Sequence, residues 1–136
     1  MKQFISIIPL FIFVLVTHCS GADYYIDSVN GSDSNDGLSI RKPWKSHIKA
    51  ESASLVAGDV VHFKKGSAFS GNIRISESGT AAKPIRLTSY GKGDLPKFTN
   101  PTTRDASGNA LILGGDYLIV ENLHFHDTPG ERVSGM

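Results

Sequence analysis

The residues best suited to chemistry are His124-Phe125-His126-Asp127. On a strand His124 and His126 would share one face, with Leu123 and Phe125 on the other, toward a core. Two imidazoles at that spacing can ligate zinc, but a zinc site needs a further protein ligand and none is evident. The plainer reading is a solvated outer face. Asp127 would serve as a base or calcium ligand only with partners the sequence does not show. Asp33, Asn35 and Asp36 offer the hard oxygens calcium prefers. Their spacing does not fit the helix-loop-helix calcium motif, and side-chain-to-backbone turn bonding accounts for them better. Lys64, Lys65, Arg74 and Arg86 could line a groove for an acidic sugar polymer. Arg74 and Arg86 sit between apolar positions and should face outward, where ordinary surface charge is the competing reading. Gly91-Lys92-Gly93 mimics a dinucleotide loop but lacks the third glycine, and Leu95-Pro96 follows where a helix should start. No Ser/His/Asp or Cys/His nucleophile set stands out. Catalytic residues are therefore unassigned, and no metal or cofactor site is expected.

The elements that would hold these residues begin behind an export signal. Lys2 precedes an apolar run from Phe4 to Val16, too short to span a bilayer comfortably and of the length of a signal-peptide core. Ser20-Gly21-Ala22 suits cleavage after Ala22, so residues 1–22 are expected to be a signal peptide. Cys19 is the one cysteine, which excludes an internal disulfide. Cleavage after Ala22 discards it. Cleavage before it would leave a thiol for a lipid anchor, although His18 is bulkier than that signal prefers. The expected location is secreted, periplasmic or cell-surface, with membrane contact only through a lipid on Cys19. Lys2 is the only charge in residues 1–22, so the remainder balances its basic and acidic residues. That balance offers no excess to draw nucleic acid or an anionic membrane. Asn30-Gly31-Ser32 fits a glycosylation sequon, relevant only on a eukaryotic secretory route.

One domain is expected from residue 23 onward. Tyr24-Tyr25-Ile26-Asp27 reads as a short strand, and Ser28 to Ser39 as turns. Pro43-Trp44 suggests a helix start, with Trp44, Ile48 and Leu55 near one face and Gly58 past the end. After Gly58 the period changes to two. Ile73/Ile75, Ile85/Leu87, Leu111/Leu113, Leu118/Val120 and Leu123/Phe125 mark short strands bounded by turn residues. Such a series implies an antiparallel sandwich or a β-solenoid. Tight Asn-Gly hairpins are scarce between the later strands, and Asn122 marks a polar corner between two strand pieces.

Several segments together resemble a known family. Tyr25-Ile26-Asp27, the run Asn30 to Gly37 and Pro43-Trp44 look like the amino-terminal cap of secreted right-handed parallel β-helix proteins. Gly58 to Phe63, Gly66 and Phe69-Ser70-Gly71 look like a first coil. Ser78-Gly79-Thr80, Pro84-Ile85, Tyr90-Gly91 and Tyr117 to Leu123 continue the likeness, which is to the pectate-lyase-like fold. The resemblance implies an all-β, incomplete solenoid with a short capping helix: cap 23–57, coils 58–127, unstructured tail 128–136. It also implies a polysaccharide-active protein, with lyase cleavage of a uronic-acid polymer favoured over glycoside hydrolysis and calcium as a cofactor of the complete lyase. No catalytic motif of that family matches within residues 1–136. A non-catalytic adhesin or glycan-binding scaffold, or an inactive truncated product, are the alternatives.

Overall fold

The computed structural model describes residues 20–100 and 109–126. The apolar run Phe4–Val16, Cys19, Asp127 and the expected tail 128–136 lie outside the described residues.

Nine strands and one helical turn follow in order: β1 (Asp23–Ile26), α1 (Ile48–Glu51), β2 (Val60–Lys64), β3 (Ala68–Ser70), β4 (Ile73–Ile75), β5 (Ile85–Tyr90), β6 (Lys97–Thr99), β7 (Leu111–Leu113), β8 (Leu118–Val120) and β9 (His124–His126). They form three sheets, ordered β1-β2-β5-β8, β3-β6-β9 and β4-β7. Every pairing among the described residues is parallel, so they do not form an antiparallel sandwich. The chain visits the first, second and third sheet in turn, then returns to the first. The fold is all-β with almost no helix.

The period of two places one face of each strand in a common core. Val61 and Phe63 of β2, Ile85 and Leu87 of β5, and Ile73 and Ile75 of β4 are fully buried. On the second sheet Phe69, Phe98 and Phe125 stand in register. Phe69 and Phe98 stack at 4.9 Å, and Phe98 and Phe125 at 5.2 Å. Phe63 meets Phe98 edge-on at 5.1 Å. Each such pair contributes roughly 0.5–1.5 kcal/mol beyond its buried area.

Sharp corners between strands need left-handed backbone. Gly66, between β2 and β3, has φ of 82°, and Asn122, between β8 and β9, has φ of 57°. Asparagine tolerates this region better than most residues because its short polar side chain bonds locally. The corner read at Asn122 is thus present. Its side chain reaches the Thr88 hydroxyl at 3.5 Å rather than a backbone group.

The expected helix from Pro43 is mostly not a helix. Trp44 forms a parallel bridge with Ile26, its N–H donating to the Tyr25 carbonyl and its carbonyl accepting from Asp27 N–H, both at 2.9 Å. The indole is buried, stacks on Tyr24 at 5.0 Å and donates through Nε1 to the Asn35 carbonyl at 3.0 Å. This long-range pairing outweighs the local helical pattern. Ile48, expected on the buried face, is exposed. The remaining turn, α1, packs on β4. Beside it His47 is buried and donates through Nε2 to the Asn72 carbonyl at 3.0 Å, its ring edge-on to Phe69 and Phe98. Asp59 ties the beginning of β1 to the turn before β2. Its buried carboxylate accepts from Ala22 N–H at 2.7 Å and Val56 N–H at 2.9 Å.

Candidate functional site

Alternation that sends Ile26, Val61, Phe63 and Leu87 inward sends Tyr25, His62, Lys64 and Tyr90 outward on the first sheet. Parallel register sets Tyr25 beside His62 and Lys64 beside Tyr90. The Tyr25 and His62 rings stack at 4.9 Å and 12°. Tyr90 meets Tyr25 edge-on at 5.3 Å. The result is a shelf of three rings on the outer face.

Two carboxylates flank the shelf. His62 Nε2 lies 2.7 Å from Asp23 Oδ1. Lys64 Nζ lies 2.8 Å from Asp27 Oδ2. Asp27 is buried, and its carboxylate also accepts from Val29 N–H, Asn30 N–H and the Asn30 carboxamide. Desolvation pushes the Asp27 carboxyl up. The bonds from Lys64, Asn30 and Val29 outweigh it and hold the group below its usual value. Tyr90 is pushed up to about 12, first by burial, then by the charges of Asp27 and Tyr25. Its phenol is therefore neutral across the physiological range and able to donate a hydrogen bond. Rings beside fixed hydrogen-bonding groups suit contact with a polar ligand.

The basic groove expected from the sequence is not assembled. Arg74 faces out from β4 in the third sheet, whereas Lys64 and Arg86 face out from the first. Lys64 is neutralised by Asp27, and Arg86 by Glu121. An acidic polymer would have to displace carboxylates already in place. Lys65 bonds through its backbone N–H to the Tyr90 carbonyl.

Asp33, Asn35 and Asp36 organise turns. Asp33 Oδ1 accepts from Lys45 and Ser46 N–H at 2.9 Å each. Desolvation opposes ionisation of Asp33, but its bonds from Ser46 and Lys45 and the charge of Lys49 hold its carboxyl below the usual value. Asn35 donates to the Pro43 carbonyl, and Asp36 accepts from Leu38 N–H. Asn30, the sequon asparagine, is exposed and bonds to Asp27. His124 and His126 share the outer face of β9, their rings 6.1 Å apart. Among the described residues no three His, Cys, Asp or Glu gather as a metal site.

Asp23, Tyr25, Asp27, His62 and Tyr90 escaped the sequence reading as a group. All but Asp27, which follows β1, lie at alternate strand positions, so the signal was present. Only the parallel register brings them together.

No family model matches this chain. A lacto-N-biosidase of Bifidobacterium longum subsp. longum is 38% identical over 85 residues, covering 60% of this chain and 5% of that protein. The crystal structure of a GH136 lacto-N-biosidase from Eubacterium ramulus, as its selenomethionine derivative, matches with TM-score 0.68 and 27% identity, covering 82% of this chain and 22% of that one. The native form matches with TM-score 0.67 and 26% identity. The chain thus spans a small part of the relatives it matches. These relatives are glycoside hydrolases, and they act on carbohydrate. They overturn the expected pectate-lyase-like kinship, the preference for a lyase over a hydrolase and the uronic-acid substrate. The paired cations of the first sheet agree with that correction. The adhesin alternative gains nothing from relatives that are enzymes.

Proposed function

We propose that this chain supplies the amino-terminal part of an exported carbohydrate-active protein of the glycoside hydrolase type, acting on a lacto-N-bioside or a similar neutral glycoside. The observation that carries the reading is the likeness to lacto-N-biosidases, in 38% identity over 85 residues and in a TM-score of 0.68 over 82% of the chain. Sheets that repeat in the same order on each pass support a right-handed parallel β-helix, since parallel crossovers are right-handed in about 98% of cases. In this reading residues 23–57 cap the core, and residues from 58 onward form its first coils. The apolar run before Ser20-Gly21-Ala22 supports export, with Cys19 as a lipid anchor if cleavage precedes it.

Glycoside hydrolysis uses two carboxyl groups, one donating a proton to the leaving oxygen and one acting as base or nucleophile. Beside the first sheet Asp27 and Glu121 are each tied to a cation and Asp23 to the His62 imidazole, so they suit positioning better than proton transfer. The outer ring shelf would contact sugar, and residues beyond the described part would supply the acid and base. The test is release of chromophore from an aryl lacto-N-bioside. The 136-residue chain is assayed beside the product of its coding region read through Met136. The reading expects release by the longer product and none from an aryl uronide. Unsaturated uronide as the only product of either would overturn it.

A further inference from the structure

A concave surface lies on the second sheet. Register places Ala68, Lys97 and His124 in one line across β3, β6 and β9. All three face outward, away from the Phe69–Phe98–Phe125 stack. The turn before β6 brings Asp94 and Leu95 to the same cleft. That turn is fixed to the β2–β3 corner, because Gly66 N–H donates to the Asp94 carbonyl at 2.7 Å. The open cleft has a volume of about 570 Å³ and is lined by Gly66, Ala68, Asp94, Leu95, Lys97 and His124 among others.

Three features suit this recess to a ligand. Its floor is built from small residues: Ala68 stands where a longer side chain would fill the line, and a Cβ on Gly66 would meet nothing within 4 Å. Its volume lies in the range of about 300–1,000 Å³ common for small-molecule sites. Its charged groups are also unspent. Beside the first sheet Asp27 and Glu121 each hold a cation, and Asp23 holds the His62 imidazole. Asp94, Lys97 and His124 line one cleft, yet none has a side-chain hydrogen bond or ion pair among the described residues. An acceptor carboxylate, a donor ammonium and an imidazole thus face one space beside the apolar Leu95, which is 41% exposed.

We propose that this cleft is a saccharide-binding subsite for a neutral sugar unit. One carboxylate and one ammonium leave no net charge to favour an acidic ligand. Vicinal hydroxyls can donate to Asp94 and accept from Lys97, while the apolar side of a sugar ring lies on Leu95. The choice of a sugar as ligand rests on the glycoside hydrolase reading above.

The experiment is an NMR titration of the full chain with lacto-N-biose, the disaccharide in the relatives' name, and in parallel with oligogalacturonate. Lacto-N-biose should move the signals of Ala68, Lys97 and His124. Asp94→Ala should weaken binding at least about tenfold, as loss of a charge-assisted hydrogen bond does. Ala68→Leu, at an outward position that leaves the core intact, should block the cleft; unchanged far-ultraviolet circular dichroism checks its fold. Shifts confined to the first sheet, shifts indifferent to both variants, or stronger binding of oligogalacturonate would each overturn the subsite. Lacto-N-bioside hydrolysis by the longer product with no movement at the cleft would overturn the subsite alone. Cleft binding without hydrolysis would overturn the enzyme reading alone.

Discussion

Phe98→Ala is the most revealing perturbation of the core. Phe98 has no exposed surface and lies between Phe69 and Phe125, with Phe63 against its side. Truncating a buried phenylalanine costs about 3–5 kcal/mol through lost transfer energy and the cavity left behind. Three phenylalanine partners lose their ring contact at once, which places this site at the upper end, about 5 kcal/mol. Domain stability is about 5–15 kcal/mol, so the variant should lose between about a third and all of it. Phe98→Leu keeps most of the volume and should cost only about 1–2 kcal/mol. Phe125→Ala, on the last described strand, is half-buried with one phenylalanine partner, Phe98, and should also cost about 1–2 kcal/mol. Trp44 is the only tryptophan and is buried, so its fluorescence reports urea unfolding without added label. The midpoints should fall in the order wild type, then Phe125→Ala or Phe98→Leu, then Phe98→Ala. A Phe98→Ala midpoint equal to or above that of Phe125→Ala would refute the stacked core.

Asp27 has a folded value below its usual one. Its stabilisation is therefore present above the unfolded value near 3.8 and is lost as pH falls through the lower folded value. Asp27→Asn should cost about 1–3 kcal/mol at neutral pH and flatten the fall of the melting temperature below that point, as followed by circular dichroism. For Tyr90 the folded value is raised to about 12. The stability it gives is present below the unfolded value and is lost as pH rises through the folded one. Tyrosinate absorbance should show a late step near that pH that Tyr90→Phe removes, and a wild-type titration complete by pH 10 would contradict the burial. Asn122→Ala should cost about 1–2 kcal/mol by forcing alanine into left-handed backbone, whereas Asn122→Gly should be nearly neutral in urea unfolding.

The strands were legible because alternation of apolar residues is local. Ile73/Ile75, Ile85/Leu87 and Leu118/Val120 need only period two to declare an inner face. The corner at Asn122 was legible for the same reason. Trp44 was misread because a proline followed by spaced apolar residues is also a helix signature. Its pairing with Ile26 is a contact across 18 positions of chain that no window of sequence contains. The ring shelf failed to register for a related cause. Tyr25, His62 and Tyr90 are isolated polar-face residues until parallel register stacks them. Arg74 and Arg86 were correctly placed outward, yet outward from different sheets, so a shared groove did not follow. The lyase expectation came from a likeness of strands, corners and cap. Those features set a scaffold and leave its chemistry open.

How a glycosidic bond is broken separates a hydrolase from a lyase most directly. The product of the coding region read through Met136 should be incubated with a lacto-N-biose-terminated oligosaccharide and the products weighed by mass spectrometry. Hydrolysis adds one water across the cleaved bond, so the released disaccharide should have the full mass of lacto-N-biose. A product one water lighter from a uronic-acid polymer, with the neutral oligosaccharide untouched, would contradict the account.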